Sequence, residues 1–138
     1  MYPIIKRNKY YNLVKSYFNN LLYLINEDFE ISTINDDVIN ETINYIHQKY
    51  YDNISVQELA NAYNLDVSFF IKKFKAFTDQ TPAQYIKTHR MSIAYNHLKS
   101  NKYTLSEVAE MVGYQDAASL SHAFKKTYGV SPKYIDRI

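Results

Sequence analysis

Apolar residues recur three and four positions apart along most of the 138-residue chain, the spacing of helices rather than the alternation of strands. Val38, Ile39, Ile43 and Ile46 mark one helical face, and Phe70 with Phe74 mark a second. Tyr85, Ile86, Ile93, Ala94 and Leu98 follow Pro82 and predict a longer helix to about Ser100, while Leu120, Ala123 and Phe124 define another face. The whole chain holds two glycines and three prolines, too few turn formers for a many-stranded sandwich or barrel. The pattern predicts an all-α protein, and the length suits one compact domain with a sizeable core, or one domain plus a helical appendage.

The chain also repeats itself. Ser55 to Ile86 matches Thr104 to Ile135 at an offset of 49 or 50. Glu58, Leu59 and Ala60 fall on Glu107, Val108 and Ala109; after one inserted residue, Phe74-Lys75 falls on Phe124-Lys125 and Thr81-Pro82 on Ser131-Pro132. Two copies are too few for a solenoid, so a tandem pair of one supersecondary unit is the better reading. Each copy opens with a capping box, Ser55 with Glu58 and Thr104 with Glu107. A two-turn helix then stops at Asn64 or Gly113, residue types that accept a left-handed backbone. Asp66 and Asp116 cap a second helix after a short turn. Ala60 and Ala109 are small enough for the two helices to cross closely, which describes a helix-turn-helix. The helix after Pro82 is roughly 28 Å long at 1.5 Å per residue, long enough to set the reach between motifs across the ~34 Å turn of B-DNA.

Charge sharpens the picture. Residues 66–138 carry eleven Lys/Arg against six Asp/Glu, whereas residues 36–65 carry one against five. A basic second half is what a polyanion-binding surface requires, and a solvated lysine face would look similar. Absence of cysteine removes disulfides and thiolate metal sites and suits a reducing cytoplasm. No apolar run approaches the ~20 residues of a membrane span, so the expectation is a cytoplasmic protein without membrane partners. His47, His89 and His97 sit on different helices without a carboxylate at metal or triad spacing. No metal, cofactor or catalytic residue is therefore expected, and an enzyme is the least favoured class.

The arrangement resembles the AraC/XylS family of bacterial regulators. The resemblance rests on Phe-Lys-Ala-Phe-Thr-Asp-Gln-Thr-Pro-Ala-Gln-Tyr-Ile (74–86), on Arg90 with Ala94 and Leu98, on Glu-Val-Ala-Glu-Met-Val-Gly-Tyr-Gln-Asp (107–116) and on Phe-Lys-Lys-Thr-Tyr-Gly-Val-Ser-Pro-Lys-Tyr (124–134). It covers about residues 36–138, with helix-turn-helix units at about 55–78 and 104–128 joined by a linker helix at about 82–100. The first copy departs from the family by carrying Asp79-Gln80 where glycine is usual. The resemblance implies a transcription regulator that places the exposed face of each second helix in the major groove of double-stranded DNA.

Those faces carry Val67, Ser68, Ile71, Lys72 and Lys75 in one copy and Ala117, Ala118, Ser121, His122 and Lys125 in the other. Both are poor in Arg, Asn and Gln, the side chains of bidentate base contacts. Modest direct readout is expected: thymine methyls against Val67, Ile71, Ala117 or Ala118, single hydrogen bonds from Ser68, Ser121 and His122, and lysines on phosphates. The helix starts at Ser55 and Thr104 are expected to attract phosphates. Arg90 is expected to order the domain rather than touch DNA, and Phe69 fits either the core or the groove. Residues 1–35 lie outside the repeat. Tyr11, Val14, Phe18, Leu21 and Ile25 have coiled-coil spacing over two heptads, which fits a homodimer through residues 11–25 and, equally, a helix packed on this domain or belonging to an upstream module. Glu27 to Asp37 reads as an acidic linker. RNA polymerase is an expected partner. A helical interaction module that binds polymerase or another regulator is the rival reading.

Overall fold

The structure, a computed structural model, describes residues 14–18, 20–21 and 36–137. These residues are helical or loop throughout, with no strand among them. The helices are α1 (Asp36–Lys49), α2 (Val56–Ala62), α3 (Val67–Thr78), α4 (Pro82–Lys99), α5 (Leu105–Met111) and α6 (Ala117–Tyr128), followed by a 3-10 turn at Pro132–Arg137. Residues 14–18 and 20–21 are also helical. Tyr11, Ile25 and most of the acidic stretch after Glu27 lie outside the described residues.

Two compact units emerge, and they interleave in sequence. The first joins the described residues up to Asn44 to Ile54–Pro82; the second joins Tyr45–Asn53 to the residues from Ala83 onward. Helix α1 therefore changes unit between Asn44 and Tyr45.

In the first unit α2 packs on α3. Its buried apolar residues are Val38 and Ile39 of α1, Leu59 and Ala60 of α2, Leu65 of the turn, and Phe69, Phe70 and Phe74 of α3. Phe69 thus belongs to the core. The tight α2–α3 turn is possible because Asn64 takes a left-handed φ of 55° and Leu65 N–H donates to Ala60 O at 3.0 Å. Thr42, buried on α1, satisfies its hydroxyl on Val38 O at 2.8 Å. Asn20 of the N-terminal segment donates to Asn64 O at 3.1 Å.

The second unit repeats this plan, with α5 packed on α6 and α6 on the 3-10 turn. Its core unites Met91 and Ala94 of α4, Val108, Ala109 and Val112 around α5, Leu120, Ala123 and Phe124 of α6, and Ile135. Burying a phenylalanine stabilises by roughly 1.5–3 kcal/mol, so Phe70, Phe74 and Phe124, all fully buried, anchor the second helix of each pair. Ala60 of α2 and Ala109 of α5 are buried at equivalent places in the two units, at 0% and 1% exposure.

Arg90 acts as the sequence suggested. From α4 its Nε donates to Tyr50 O and its Nη2 to Asp52 O at 2.7 Å, holding the turn that follows α1.

Candidate nucleic-acid interface

The second helix of each pair is fixed at both ends. Asp66 accepts from Phe69 N–H at 3.0 Å and Asp116 from Ser119 N–H at 2.7 Å, so each carboxylate caps an otherwise unpaired amide. These bonds to Ser119 hold the Asp116 carboxyl below the usual carboxylate range. At the far ends Asp79 and Gly129 both adopt left-handed φ, 62° and 78°, and both send N–H to the carbonyl one turn back, Lys75 and Lys125, at 2.8 Å. Asp79 thereby does the work of the glycine in the second copy; a short polar side chain tolerates this backbone region.

With the ends fixed and the phenylalanines turned inward, one stripe of each helix is left to solvent. On α3, Ser68, Lys72 and Lys75 are exposed and stand at i, i+4 and i+7, with Val67 and Ile71 half-buried beside them. On α6, Ala118, His122 and Lys125 repeat that spacing and exposure, flanked by half-buried Ala117 and Ser121. Each set of five lies along one helix face. Phe77, 45% exposed in the last turn of α3, and exposed Lys126 on α6 are not among the residues that the sequence pattern points to. Phe77 stands three residues after core Phe74, which makes it look like another core position. Lys126 could have been found as the second of two adjacent lysines.

The first helices differ at their starts. At α5 the capping box closes fully: Thr104 accepts from Glu107 N–H at 3.2 Å, and the Glu107 carboxylate takes bonds from the Thr104 N–H and hydroxyl at 2.7 and 2.9 Å. These bonds keep the Glu107 carboxyl below its ordinary range. A phosphate approaching Thr104 therefore meets a carboxylate. At α2 the interaction is one-sided and longer, Ser55 Oγ accepting from Glu58 N–H at 3.4 Å.

Two further contacts involve titratable side chains. The Tyr63 hydroxyl donates to Glu41 at 3.1 Å, and burial, then the Glu41 charge, push its pKa upward. His47 and His89, far apart in sequence, stack on one another.

A family model described as a helix-turn-helix domain matches residues 59–137, more than half of the chain, and that model is of the AraC type. The chain belongs to the AraC family. This AraC-family chain is 37% identical over 89 residues to a probable transcriptional regulator, LumQ, of Photobacterium leiognathi, a match covering 64% of this chain and 36% of that protein. It is 30% identical over 97 residues to a putative AraC-like transcription regulator of Streptomyces antibioticus, covering 70% of this chain and 32% of that one. The lactose operon transcription activator of Staphylococcus xylosus is 29% identical over 124 residues, with 86% and 44% covered. The chain thus spans less than half the length of these relatives. Among solved structures, the DNA-binding domain of AdpA in complex with target DNA superposes with a TM-score of 0.66 at 24% identity, covering 72% of this chain and 90% of that domain, a likeness of fold. The all-helical architecture with tandem helix-turn-helix units is that of AraC-type DNA-binding domains.

Proposed function

We propose that this AraC-family chain regulates transcription by placing α3 and α6 in two major-groove segments of a duplex. The observation that carries the proposal is the duplicated stripe, Ser68/Lys72/Lys75 and Ala118/His122/Lys125, exposed on two identically capped helices. Lys72, Lys75 and Lys125 hold phosphates; Val67, Ile71, Ala117 and Ala118 meet thymine methyls; Ser68, Ser121 and His122 supply single hydrogen bonds. With few bidentate base readers, duplex shape contributes the remaining selectivity. Of the two first-helix starts, Ser55 is the more open to a phosphate, because Glu107 already occupies the one at Thr104. Residues 36–138 form the DNA-binding portion, and 1–35 an extension.

Activation through RNA polymerase in the cytoplasm is the direction favoured by the similarity to a lactose operon activator. A homodimer through residues 11–25 is supported by Val14, Phe18 and Leu21, which are 57–68% exposed on the helical segment.

The test is selection of bound sequences from a random duplex library, followed by footprinting of the winner at two salt concentrations. Two protected segments about one helical turn apart, with binding that weakens steeply with salt, are expected. A folded protein that enriches no sequence would refute the proposal.

A further inference from the structure

Tyr45–Asn53 precedes the first helix-turn-helix in sequence yet folds with the second. Three contacts fasten it there. The Arg90 guanidinium donates to the carbonyls of both Tyr50 and Asp52. The Tyr50 ring packs on the core of the second unit and meets His89 edge-on, with centroids 5.3 Å apart. The backbone of Tyr51 presses on Gly113, the turn residue of the second motif: a Cβ there would stand 2.5 Å from Tyr51 O and 3.0 Å from its carbonyl carbon. Next along the turn, Tyr114 sends its N–H to Ala109 O at 2.8 Å and holds its half-buried ring 5.9 Å from the Arg90 guanidinium.

We propose that Tyr50–Asp52 is a splint for the turn of the second helix-turn-helix, and that Arg90 is the positioning residue that clamps it. Helix α6 is then aimed by a segment lying ahead of the first motif, and the second DNA-reading module is discontinuous in sequence. The proposal rests on the reading of α6 as a DNA-reading helix. Physically, a glycine at φ 79° has wide conformational freedom, so a neighbour must select the direction in which the chain leaves for α6. Tyr51 does so by leaving space for a hydrogen and nothing larger. Arginine suits the clamp because its rigid fork serves two carbonyls at once, whereas the lysine ammonium is a point donor. Two glycines allow a matched comparison: Gly129 has nearly the same φ, 78°, and an added Cβ there meets nothing within 4 Å.

The experiment uses the full chain and its Arg90→Lys, Gly113→Ala and Gly129→Ala variants. It reads footprints on the selected duplex and amide hydrogen exchange at Asp52 and Tyr114, with Leu65 of the first motif as reference. Arg90→Lys should weaken occupancy of the second half-site by about tenfold or more, with the first half-site retained. Exchange at Asp52 and Tyr114 should quicken together while Leu65 keeps its rate, and Gly113→Ala should exceed Gly129→Ala in both readouts. Equal effects of the two glycine variants, or exchange that quickens alike in both motifs, would overturn the splint. If the unaltered chain protects no duplex, the DNA reading fails, and joint quickening at Asp52 and Tyr114 alone decides the splint.

Discussion

The imidazole rings of His47 and His89 stack face to face, with centroids 4.3 Å apart and planes 12° from parallel. His47 Nε2 shares a 2.9 Å hydrogen bond with the Tyr85 hydroxyl, which lies one helical turn before His89 on α4. Burial, and then the nearby His47 charge, lower the His89 pKa below the ordinary 6.5. The unfolded chain therefore takes up a proton before the folded one does. The contribution to stability is complete above the ordinary histidine value and is lost as the pH falls through it towards the lower folded value. The urea midpoint should decline as the pH falls below the ordinary histidine value of 6.5, and His89→Gln should flatten that decline. A variant with the unaltered slope would show that other groups govern it.

The left-handed residue that ends α3 gives a prediction of opposite sign. Asp79 repeats the cap geometry of Gly129, yet a side chain in this region costs about 1–2 kcal/mol. Asp79→Gly should stabilise the chain by about 1 kcal/mol, after some loss to the greater freedom of the unfolded state. Thermal unfolding measures this, and a lowered midpoint would mean that the Asp79 carboxylate makes a stabilising interaction that glycine cannot replace.

Both helix-turn-helix units were legible in the sequence because their determinants are local. Capping at Ser55 and Thr104, left-handed positions at Asn64 and Gly113, and inward phenylalanines each act within one or two turns of chain. The expectation that Arg90 orders the domain also held, since α4 directs it at the Tyr50 and Asp52 carbonyls. What was not legible depends on distant pairing. His47 and His89 looked like scattered histidines until α1 and α4 brought them into a stack. Nothing in the local pattern of Tyr45–Asn53 says that it folds with the second unit, because its partners lie about forty to sixty residues away. The expected capping box at Ser55 is half made, because the Glu58 side chain does not return the bond that Glu107 returns at Thr104.

The helix crossings can be tested by overpacking. Ala60 and Ala109 are fully buried at equivalent places in the two units, and Ala60→Leu or Ala109→Leu should each cost roughly 1–3 kcal/mol of stability. Denaturant unfolding provides the measurement. A leucine accommodated without cost at either position would show that its pair of helices does not cross there.

Lys72 and Lys125 are both exposed, on the corresponding faces of α3 and α6. If each neutralises one phosphate, Lys72→Ala and Lys125→Ala should weaken binding to all duplexes similarly and reduce the logarithmic salt slope by about one each. Titrations across a range of salt on the selected duplex and an unrelated one separate the effects. Unchanged affinity and slope would remove that lysine from the interface.

The N-terminal helical segment divides its contacts in a way that bears on assembly. Ser16 is buried and Asn20 donates to Asn64 O in the turn of the first motif, whereas Val14, Phe18 and Leu21, the heptad positions among the described residues, face solvent. Docking on its own unit therefore leaves the apolar stripe open to a second helix with the same spacing. Sedimentation equilibrium should show a concentration-dependent dimer, and the paired change Phe18→Lys with Leu21→Lys should abolish it without altering helicity. Retention of the dimer in that variant would assign self-association to another surface. A monomer at every concentration would leave the stripe without a role in dimerisation.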